Sequence, residues 1–330
     1  MSGGFSSAAS FFLTAGEYAD QAAALSSTAS FKRAPAESSH KAAQDVTKTA
    51  AAADCAKGGR ISLLASGSKG NAAYIELDGK RLLIDAGISA RRITQSLKSF
   101  DVTPSSLDGI FITHEHSDHI KGLTTLLKQY RLPLFARPAT LAAIRETIEA
   151  PDDCFFPMED EIRLGDVTVR SFRTLHDAAA PVGYTICGSE KCSVATDLGF
   201  LTDGVLHAIE GSDLLVLEAN HDREMLQKGS YPRRLKQRIL SNRGHLSNSA
   251  AAWALVRLKK RPRAVFLAHL SQENNRPDLA LRTVQAILQN QGIEQENLML
   301  GAQDMPMSFG FASLEEDTPD RPPAPLFPEG

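Results

Sequence analysis

The stretch THEHSDH, residues 113–119, places three histidines and two carboxylates in a single short segment. It directly follows GIFI, residues 109–112, an apolar run that predicts a short buried strand. Because the chain must turn where a strand ends, alternate side chains of the following loop can converge on one point. Imidazoles and carboxylates together are typical ligands of Zn²⁺, Mn²⁺ or Fe²⁺. The stretch therefore predicts a metal site at the end of a strand.

The spacing within this loop favours two ions, because one ion cannot bind all of these ligands in comfortable geometry. His114 and His116 would bind the first ion, and Asp118 and His119 the second. The alternative is a polar loop that caps the next helix, with Asp118 near the helix N-terminus. Against it, clustered imidazoles repel one another when protonated and are hard to satisfy when buried.

The remaining ligands are expected at other points where an apolar strand gives way to a small or polar loop. His176 follows VTVRSF, Asp197 follows CSVAT and His269 follows AVFLA. A lone histidine at such a position is more often a satisfied structural residue. These residues, however, occur together and in order after the H-x-H-x-D-H motif, so we predict that they complete the metal site.

The apolar pattern between about residues 60 and 312 predicts a globular α/β domain. Strand-like runs such as ISLLAS, AAYIEL and RLLID come first, separated by Gly, Asn and Asp turns. Helical stretches such as HIKGLTTLLKQY and SNSAAAWALVRLKK then alternate with strands such as DLLVLEA. Strand meanders followed by strand–helix alternation predict two sheets packed face to face with helices outside, a four-layer αββα sandwich.

The two ends of the chain differ in composition from this domain. We predict an Ala/Ser-rich disordered extension over residues 1–57, a hydrolase domain over 58–312 and an acidic, Pro-rich tail over 313–330. No apolar run approaches the ~18 residues of a membrane span, so no membrane attachment is expected. Cys187 and Cys192 flank the turn GSEK and are interpreted as reduced thiols, and no CxxC pair occurs. This cysteine usage predicts a reducing, cytoplasmic location.

The order of these motifs resembles that of the metallo-β-lactamase superfamily, in which Asp85 of LLIDAG would precede HEHSDH and the later ligands. The resemblance implies an αββα sandwich that holds two divalent ions, Zn²⁺ or Mn²⁺. It also implies that Asp85 supports the ligand loop without binding metal itself. The ligands that it implies are His114, His116 and His176 on one ion, Asp118, His119 and His269 on the other, and Asp197 between them.

More narrowly, the motifs LLASGSKGN, HDAAAPVGY, RILSNRGHLSN and LAHLSQENN resemble the bacterial YycJ/VicX (WalJ) branch. The resemblance covers about three quarters of the chain and leaves every ligand position intact. It implies a nuclease with 5′→3′ exonuclease action on double-stranded DNA. The implied chemistry is hydrolysis by a hydroxide that bridges the ions near Asp118, without a nucleophilic Ser or Cys.

A basic stretch favours a phosphodiester substrate. Residues 225–272 contain eleven Lys or Arg and no Asp or Glu, although the chain has a net charge of −3. Such a surface steers a polyanion and contacts its phosphates, and it is expected to border the ions because the stretch reaches His269. The alternative is an ordinary solvated face, although such faces usually mix charges of both signs. The substrate-binding residues predicted from this stretch are Lys228, Arg233, Arg234, Lys236, Arg238 and Arg243.

A second feature is His245 in GHLSN, which lies outside the ligand set at the start of a predicted helix. A phosphodiesterase needs a proton for the departing 3′ oxygen, and an imidazole suits this task near neutral pH. Glu218, at the end of LVLE, is expected to orient and charge His245, as a catalytic pair that resembles the Glu and His of the ribonuclease Z branch. A helix-capping role for His245 is the alternative. His221 is a further candidate for substrate contact.

Two other features bear on the substrate. The loop SGSKGN, residues 66–71, fits either a backbone approach to phosphate or a plain hairpin turn. Aromatic residues make up 6% of the chain, and the lone Trp253 falls in a predicted helix. Recognition is therefore expected to depend on backbone charge and shape rather than on base reading.

The sequence thus predicts a metal-dependent phosphodiesterase, a 5′→3′ exonuclease whose partner is double-stranded DNA. An RNA-processing nuclease and a small-molecule thioester or lactone hydrolase are the alternatives, because such a metal centre does not by itself specify a substrate. A non-catalytic binding module is disfavoured by the intact ligand set.

Overall fold

Two seven-stranded β-sheets form the framework of the protein, in a computed structural model that describes residues 59–310. The first sheet contains β1 (Gly59–Ala65), β2 (Ala72–Leu77), β3 (Lys80–Ile84), β4 (Gly109–Phe111), β5 (Leu134–Ala136), β6 (Phe155–Pro157) and β14 (Met307–Gly310). The second sheet contains β7 (Glu161–Leu164), β8 (Val167–Arg173), β9 (Val182–Cys187), β10 (Lys191–Ala195), β11 (Leu214–Glu218), β12 (Ala264–Ala268) and β13 (Asn297–Leu300).

The two sheets have the same plan. The order is β14-β1-β2-β3-β4-β5-β6 in the first sheet and β13-β12-β11-β10-β9-β8-β7 in the second. Each sheet begins as an antiparallel meander and continues as parallel strands, from β3 onward in the first and from β10 onward in the second. As a result, β8, β10, β11 and β12 all end at the same edge of the second sheet.

Helices connect many of the strands, and several of them pack on the outer faces of the two sheets. The helices are α1 (Ala90–Lys98), α2 (Ser117–Ile120), α3 (Leu123–Tyr130), α4 (Pro138–Thr147), α5 (Asp203–Ile209), α6 (Arg223–Lys228), α7 (Arg233–Ile239), α8 (Asn248–Arg257) and α9 (Pro277–Asn290). Short 3₁₀ turns occupy Pro104–Ser106 and Asp152–Cys154.

Three apolar clusters fill the spaces between these layers, and the strand RLLI shows why. Leu82 and Ile84 point between the sheets, whereas Leu83 packs with the helices on the outer face. Because successive side chains of a strand alternate, a strand that is covered on both faces must be apolar throughout. The strand LLVL obeys the same rule, with Val216 between the sheets and Leu215 under the outer helices. The predicted four-layer sandwich is confirmed.

Two kinds of element differ from the prediction. The stretch HIKGLTTLLKQY forms two helices, α2 and α3, because the Gly122 N–H bonds to the carbonyl of Ala86 and not within a helix. The short strands β6, β7, β13 and β14 lie at the sheet edges and were not predicted.

The predicted domain boundaries at residues 58 and 312 stay predictions, and the predicted extension and tail lie outside the described residues. Within residues 59–310, no helix is long and apolar enough to cross a membrane. Cys187 lies opposite Lys191 in the β9–β10 pair, and Cys192 lies opposite Ile186. The two thiols are therefore one position out of register, and both are free.

Candidate metal centre

The predicted ligands lie in loops that follow strands of both sheets. The loop His114–His119 follows β4 of the first sheet, whereas His176, Asp197 and His269 follow β8, β10 and β12 of the second. Because β8, β10 and β12 end at one edge, their loops meet above the space between the sheets. The fold therefore collects side chains that are up to 155 positions apart in the sequence.

The backbone turns abruptly at three positions around this centre. Asp85, Asp197 and His269 have φ values of 62°, 56° and 55°, and they are three of only six non-glycine residues with positive φ among the described residues. This left-handed conformation is unfavourable for residues other than glycine and must be held by the surroundings. At His269 the backbone N–H donates to Ser66 Oγ at 2.7 Å. The turn ends the strand and redirects the side chain toward the centre.

The first group of candidate ligands contains three histidines. A ring nitrogen from each of His114, His116 and His176 lies within 4.8 Å of the others. His114 Nε2 and His116 Nδ1 are 3.0 Å apart, and His176 Nδ1 is 3.1 Å from the carbonyl oxygen of Gly244. His176 thus bonds to the backbone through Nδ1, and its Nε2 remains for a metal ion. This arrangement is typical of metal-binding imidazoles.

The second group contains Asp118, His119 and His269, whose ligand atoms also lie within 4.8 Å of one another. His119 Nε2 lies 3.4 Å from Asp118 Oδ2, and His269 Nε2 lies 3.7 Å from the same oxygen. The helix-cap alternative for this loop receives no support, since α2 begins without a side-chain capping bond.

Asp197 lies between the two groups. Its Oδ1 is 3.7 Å from His176 Nε2, and its Oδ2 is 3.4 Å from His119 Nε2. Within residues 59–310, this buried Oδ2 has no hydrogen-bond partner. An unpaired buried carboxylate oxygen is costly unless a cation satisfies it. Buried nitrogen and oxygen donors around an unpaired carboxylate fit divalent ions such as Zn²⁺ or Mn²⁺.

The electrostatics of the cluster agree with a cationic occupant. Burial lowers the pKa of His114 well below its ordinary value. Burial would also lower the pKa of His119, but Asp85 and Asp197 outweigh it and raise that pKa well above the ordinary value. Burial raises the pKa of Asp197, but His269 and His119 outweigh it and lower that pKa. The carboxylates thus stay charged and require positive charge beside them, which divalent ions supply.

Asp85 holds the ligand loop in place through contacts of its carboxylate with Thr113 and His119. Its Oδ1 accepts the Thr113 N–H at 2.8 Å, and its Oδ2 lies 2.8 Å from His119 Nδ1. Gly87, two residues later, packs so closely that a Cβ there would lie 1.6 Å from the carbonyl oxygen of Asp118. The motif LLIDAG therefore requires both its carboxylate and its glycine.

Sequence reasoning missed Asn71 at the end of the SGSKGN loop. Its side-chain amide nitrogen lies 3.3 Å from His119 Nε2 and 3.4 Å from Asp118 Oδ2. The sequence pattern of this loop predicts only a phosphate-binding turn or a hairpin turn. Its final asparagine, a residue with both donor and acceptor atoms beside a Gly-rich turn, was the available signal.

Glu218 and His245 are brought together, and Glu218 does more than expected. Glu218 Oε1 is 2.8 Å from His245 Nδ1 and 2.9 Å from His269 Nδ1. Its Oε2 accepts the N–H groups of Leu198 and Leu246 at 2.7 and 3.0 Å. Burial raises the pKa of Glu218, but His245 outweighs it, so the net shift is downward. One buried carboxylate therefore orients both a candidate ligand and the candidate acid.

The structure bears on two further interpretations, the capping role of His245 and substrate contact by His221. The capping role considered for His245 is taken by Ser247, whose side chain accepts the Ala250 N–H at the start of α8. His221 is only 2% exposed and does not line the cleft, so direct substrate contact is wrong for it. Burial lowers the pKa of His221 to about 4.

A cleft of about 260 Å³ opens above the centre. His245, Ser68 and five of the candidate ligands line it, namely His116, Asp118, His176, Asp197 and His269. Its opposite wall comes from α7 and the residue that leads into it, namely Tyr231, Leu235, Arg238 and Ile239. An aromatic ring therefore faces the substrate space, although the composition suggested few stacking platforms.

The six predicted substrate-binding residues do not share one environment. Arg233, Arg234 and Arg243 are exposed, whereas Arg238 lines the cleft and pairs with Asp177 Oδ2 at 2.6 Å. Lys228 forms an ion pair with Glu224 in α6.

Lys236 donates to the carbonyl oxygens of Gln227 and Gly229, both at 2.7 Å. Two of its three ammonium donors are therefore used by the backbone, and substrate binding by Lys236 stays a prediction.

The second half of the basic stretch lies away from the centre. Arg263 immediately precedes β12 and His269 immediately follows it, so the two positions are separated by about 20 Å. Arg257 pairs with Asp203 at 2.8 Å and Lys260 with Asp213 at 3.0 Å. The expectation that the basic surface borders the ions therefore applies to its first half, whereas Arg257 and Lys260 in the far half pair with acids from other segments.

Comparison with known proteins places the chain among related sequences. Residues 80–270 match the Beta-lactamase superfamily domain. The chain is 42% identical over 234 residues to Exodeoxyribonuclease WalJ of Streptococcus pneumoniae, across 69% of this chain and 87% of that protein. It is 40% identical over 237 residues to Exodeoxyribonuclease YycJ of Bacillus anthracis, across 70% of this chain and 90% of that protein.

Solved structures share the fold at lower identity. The metallo-beta-lactamase fold protein YhfI of Bacillus subtilis superposes with a TM-score of 0.57 at 14% identity, across 76% of this chain and all of that one. The Zn²⁺-bound PqqB of Methylobacterium extorquens superposes with a TM-score of 0.56 at 15% identity, across 75% of this chain and 99% of that one. These likenesses confirm the architecture.

Proposed function

Because this chain belongs to the metallo-β-lactamase superfamily, we propose that it is a metal-dependent phosphodiesterase, an exodeoxyribonuclease that acts from 5′ ends of double-stranded DNA. The observation that carries the proposal is the buried Glu218–His245 pair beside the candidate ligands. A thioester hydrolase has less need of such an acid, because a thiolate leaves readily without protonation near neutral pH. The relatives named as exodeoxyribonucleases, which this chain covers almost fully, support the same choice.

The residues that would hold two divalent ions are those of the two candidate groups, with Asp197 shared. The ions, Zn²⁺ or Mn²⁺, would polarise the scissile phosphate and make water nucleophilic at neutral pH. Asp118 is the most exposed of the candidate carboxylates, at 26%, and lines the cleft. We assign its carboxylate to hydrogen-bond and orient the attacking water.

His245 would donate the proton to the departing 3′ oxygen. Its Nδ1 is held by Glu218, so Nε2 is the ring nitrogen that remains for the substrate. The side chain of His245 is 21% exposed and lines the cleft, whereas Glu218 is fully buried. The buried carboxylate fixes the orientation of the ring, and a general acid must be held within hydrogen-bond reach of the leaving oxygen.

The exposed arginines of α7 and the following loop would contact the DNA backbone. Arg233, Arg234 and Arg243 are exposed, and within residues 59–310 they form no ion pairs of the kind found at Arg257 and Lys260. Contacts of this kind provide affinity without reading bases. A cytoplasmic location accords with the three free cysteines among the described residues.

The decisive experiment is an end-labelled digestion panel of single- and double-stranded DNA and RNA with 5′ hydroxyl or 5′ phosphate ends, in Mn²⁺ and in Zn²⁺. We expect release of nucleotides from the 5′ end of duplex DNA by the wild type and none by Asp197→Ala. Faster digestion of RNA would favour the RNA-processing alternative. Hydrolysis of thioesters or lactones with no nucleic acid cleaved would overturn the proposal.

A further inference from the structure

The cleft wall formed by α7 carries apolar groups as well as charge. Leu235 and Ile239 are four residues apart and Arg238 is three residues after Leu235, so the three share one helical face. Tyr231 precedes the helix and lines the same cleft. The candidate ligands thus face a wall that is aromatic and aliphatic along part of its length.

These apolar groups are not used by the protein core. No residue of α7 is buried, and Tyr231, Leu235 and Ile239 are each only half-buried. None of the three belongs to the apolar clusters that fill the layers. Apolar side chains that line a cleft without serving the core are available to a ligand.

Tyr231 is the one Phe, Tyr or Trp among the cleft-lining residues. No aromatic ring or guanidinium stacks on its ring in the described part of the chain. No such partner within residues 59–310 therefore competes with a ligand for this ring.

The segment that carries Tyr231 is held in place at both sides. Pro232 restricts the backbone of the residue before it to extended conformations. Lys236 ties the preceding turn to α7 through the carbonyl oxygens of Gln227 and Gly229. This is the structural role of the lysine that was expected to bind substrate. A pre-ordered ring loses little entropy when a ligand stacks on it.

We propose that Tyr231 is a stacking platform for the nucleobase next to the scissile phosphate. The cleft volume of about 260 Å³ is near the lower limit of small-ligand sites, about 300–1,000 Å³. With a phosphate on the candidate ligands, the adjoining sugar and base would lie against Tyr231, Leu235 and Ile239, which line the same cleft. The stacked base would select a nucleotide chain end over a simple ester. This inference rests on the proposed nuclease function.

The test combines Tyr231 variants with modified DNA ends and compares the effect of each change alone with the effect of both together. Duplex DNA is prepared with a normal 5′ end and with a tetrahydrofuran abasic residue at the first or the second position. We expect Tyr231→Ala to lower kcat/KM on the normal end by about 5- to 150-fold, the range that corresponds to loss of one base–aromatic stack. On the substrate that lacks the stacked base, the same variant should cleave almost as well as the wild type.

Control variants separate stacking from size and folding. Tyr231→Phe keeps the ring and should retain wild-type rates, whereas Tyr231→Leu keeps apolar bulk and should behave like Tyr231→Ala. An unchanged melting temperature should accompany all three, since Tyr231 is half-exposed. An equal loss on normal DNA and on both abasic substrates would overturn the stacking role alone. Absence of any nucleic acid cleavage by the wild type would overturn the proposed function and the inference with it.

Discussion

At the scale of single residues, Glu218 contacts both a candidate metal ligand, His269, and the candidate general acid, His245. Its Oε1 serves the rings of both His245 and His269, and its Oε2 accepts two backbone N–H groups. A fully buried carboxylate needs this many donors to remain charged. Any change at Glu218 therefore acts on a candidate ligand and on the candidate acid at once, whereas a change at His245 acts on one.

Replacement of His245 removes one of these two contacts and leaves the other. We expect His245→Ala to lower kcat by about 10²- to 10⁴-fold, the usual contribution of a general acid, while the bound metal per chain stays at the wild-type level. Turnover and metal content by elemental analysis are measured on the same preparation. Glu218→Gln is the comparison and should lower both, because its amide cannot accept from both rings and both N–H groups. A parallel loss of metal in His245→Ala would make His245 a ligand instead.

At the scale of elements, the loop SGSKGN is a support for the metal centre as well as a hairpin turn. Gln303 accepts the Lys69 N–H and donates to the Gly70 carbonyl, both at 2.9 Å. The loop in turn presents Ser66 to the His269 N–H and Asn71 to His119. One amide side chain from the segment after β13 thereby fixes a loop that touches ligands from both sheets.

The Gln303 contact predicts a measurable effect on metal affinity. We expect Gln303→Ala to weaken metal binding by about 10- to 100-fold, as typical for the loss of a residue that orients metal ligands. Gln295→Ala is a matched control, because Gln295 also donates to a backbone carbonyl, that of Pro262 at 2.8 Å, in front of β12 and away from the ligands. Competition with a metal-binding dye measures both variants. Equal affinities for the two would show that the loop needs no such support.

Two basic segments can be compared directly, one formed by α7 and the loop after it and one at the end of α8. Arg233, Arg234 and Arg243 are exposed beside the cleft, whereas Arg257, Lys259 and Lys260 lie near β12's opposite end. Replacing the first three by Gln should reduce the slope of log K against log salt by about 0.9 per lost phosphate contact. The same change at the second three should leave the slope unchanged. The measurement is the affinity of each variant for a DNA duplex at several salt concentrations. Equal slopes for the two variants would show that α7 and the loop after it do not belong to the DNA-binding surface.

At the scale of the whole molecule, the candidate ligands link the two sheets. The loop after β4 belongs to the first sheet, and His176, Asp197 and His269 belong to the second. The inter-sheet cluster holds the layers together by apolar contact. Ions at this centre would add a direct connection between them, so metal binding should stabilise the packing of the entire domain.

Metal loading should therefore raise the melting temperature. At free metal of about 100 times Kd the expected gain is about 2.7 kcal/mol, or roughly 5–10 °C for a domain of this size. Differential scanning calorimetry of chelated protein, before and after addition of Mn²⁺ or Zn²⁺, measures the shift. Asp197→Ala should show almost none, because it removes the carboxylate shared by both groups. A full shift in that variant would place the stabilising ion elsewhere.

Local patterns in the sequence were sufficient to predict the central strands and to select candidate ligands that the structure brings together. Strands such as RLLI and LLVL are apolar on both faces because both faces are covered, and this pattern needs no tertiary information. The ligands follow such strands in chain order, so their positions could be predicted from residue type and strand ends. The edge strands β6, β7, β13 and β14 could not, because short strands owe their conformation to pairing with a neighbour.

What only the tertiary structure decided is which groups meet across long separations. Gln303 bonds Lys69 across 234 positions, and Glu218 reaches both His245 and His269. The acid-free stretch 225–272 is divided in space, because Arg257 and Lys260 pair with acids of other segments, whereas Arg233, Arg234 and Arg243 are exposed. Hydrogen bonds and ion pairs act over a few ångströms of space regardless of position in the chain. Strand periodicity is therefore readable from neighbours, whereas charge balance and the support of the ligands require the fold.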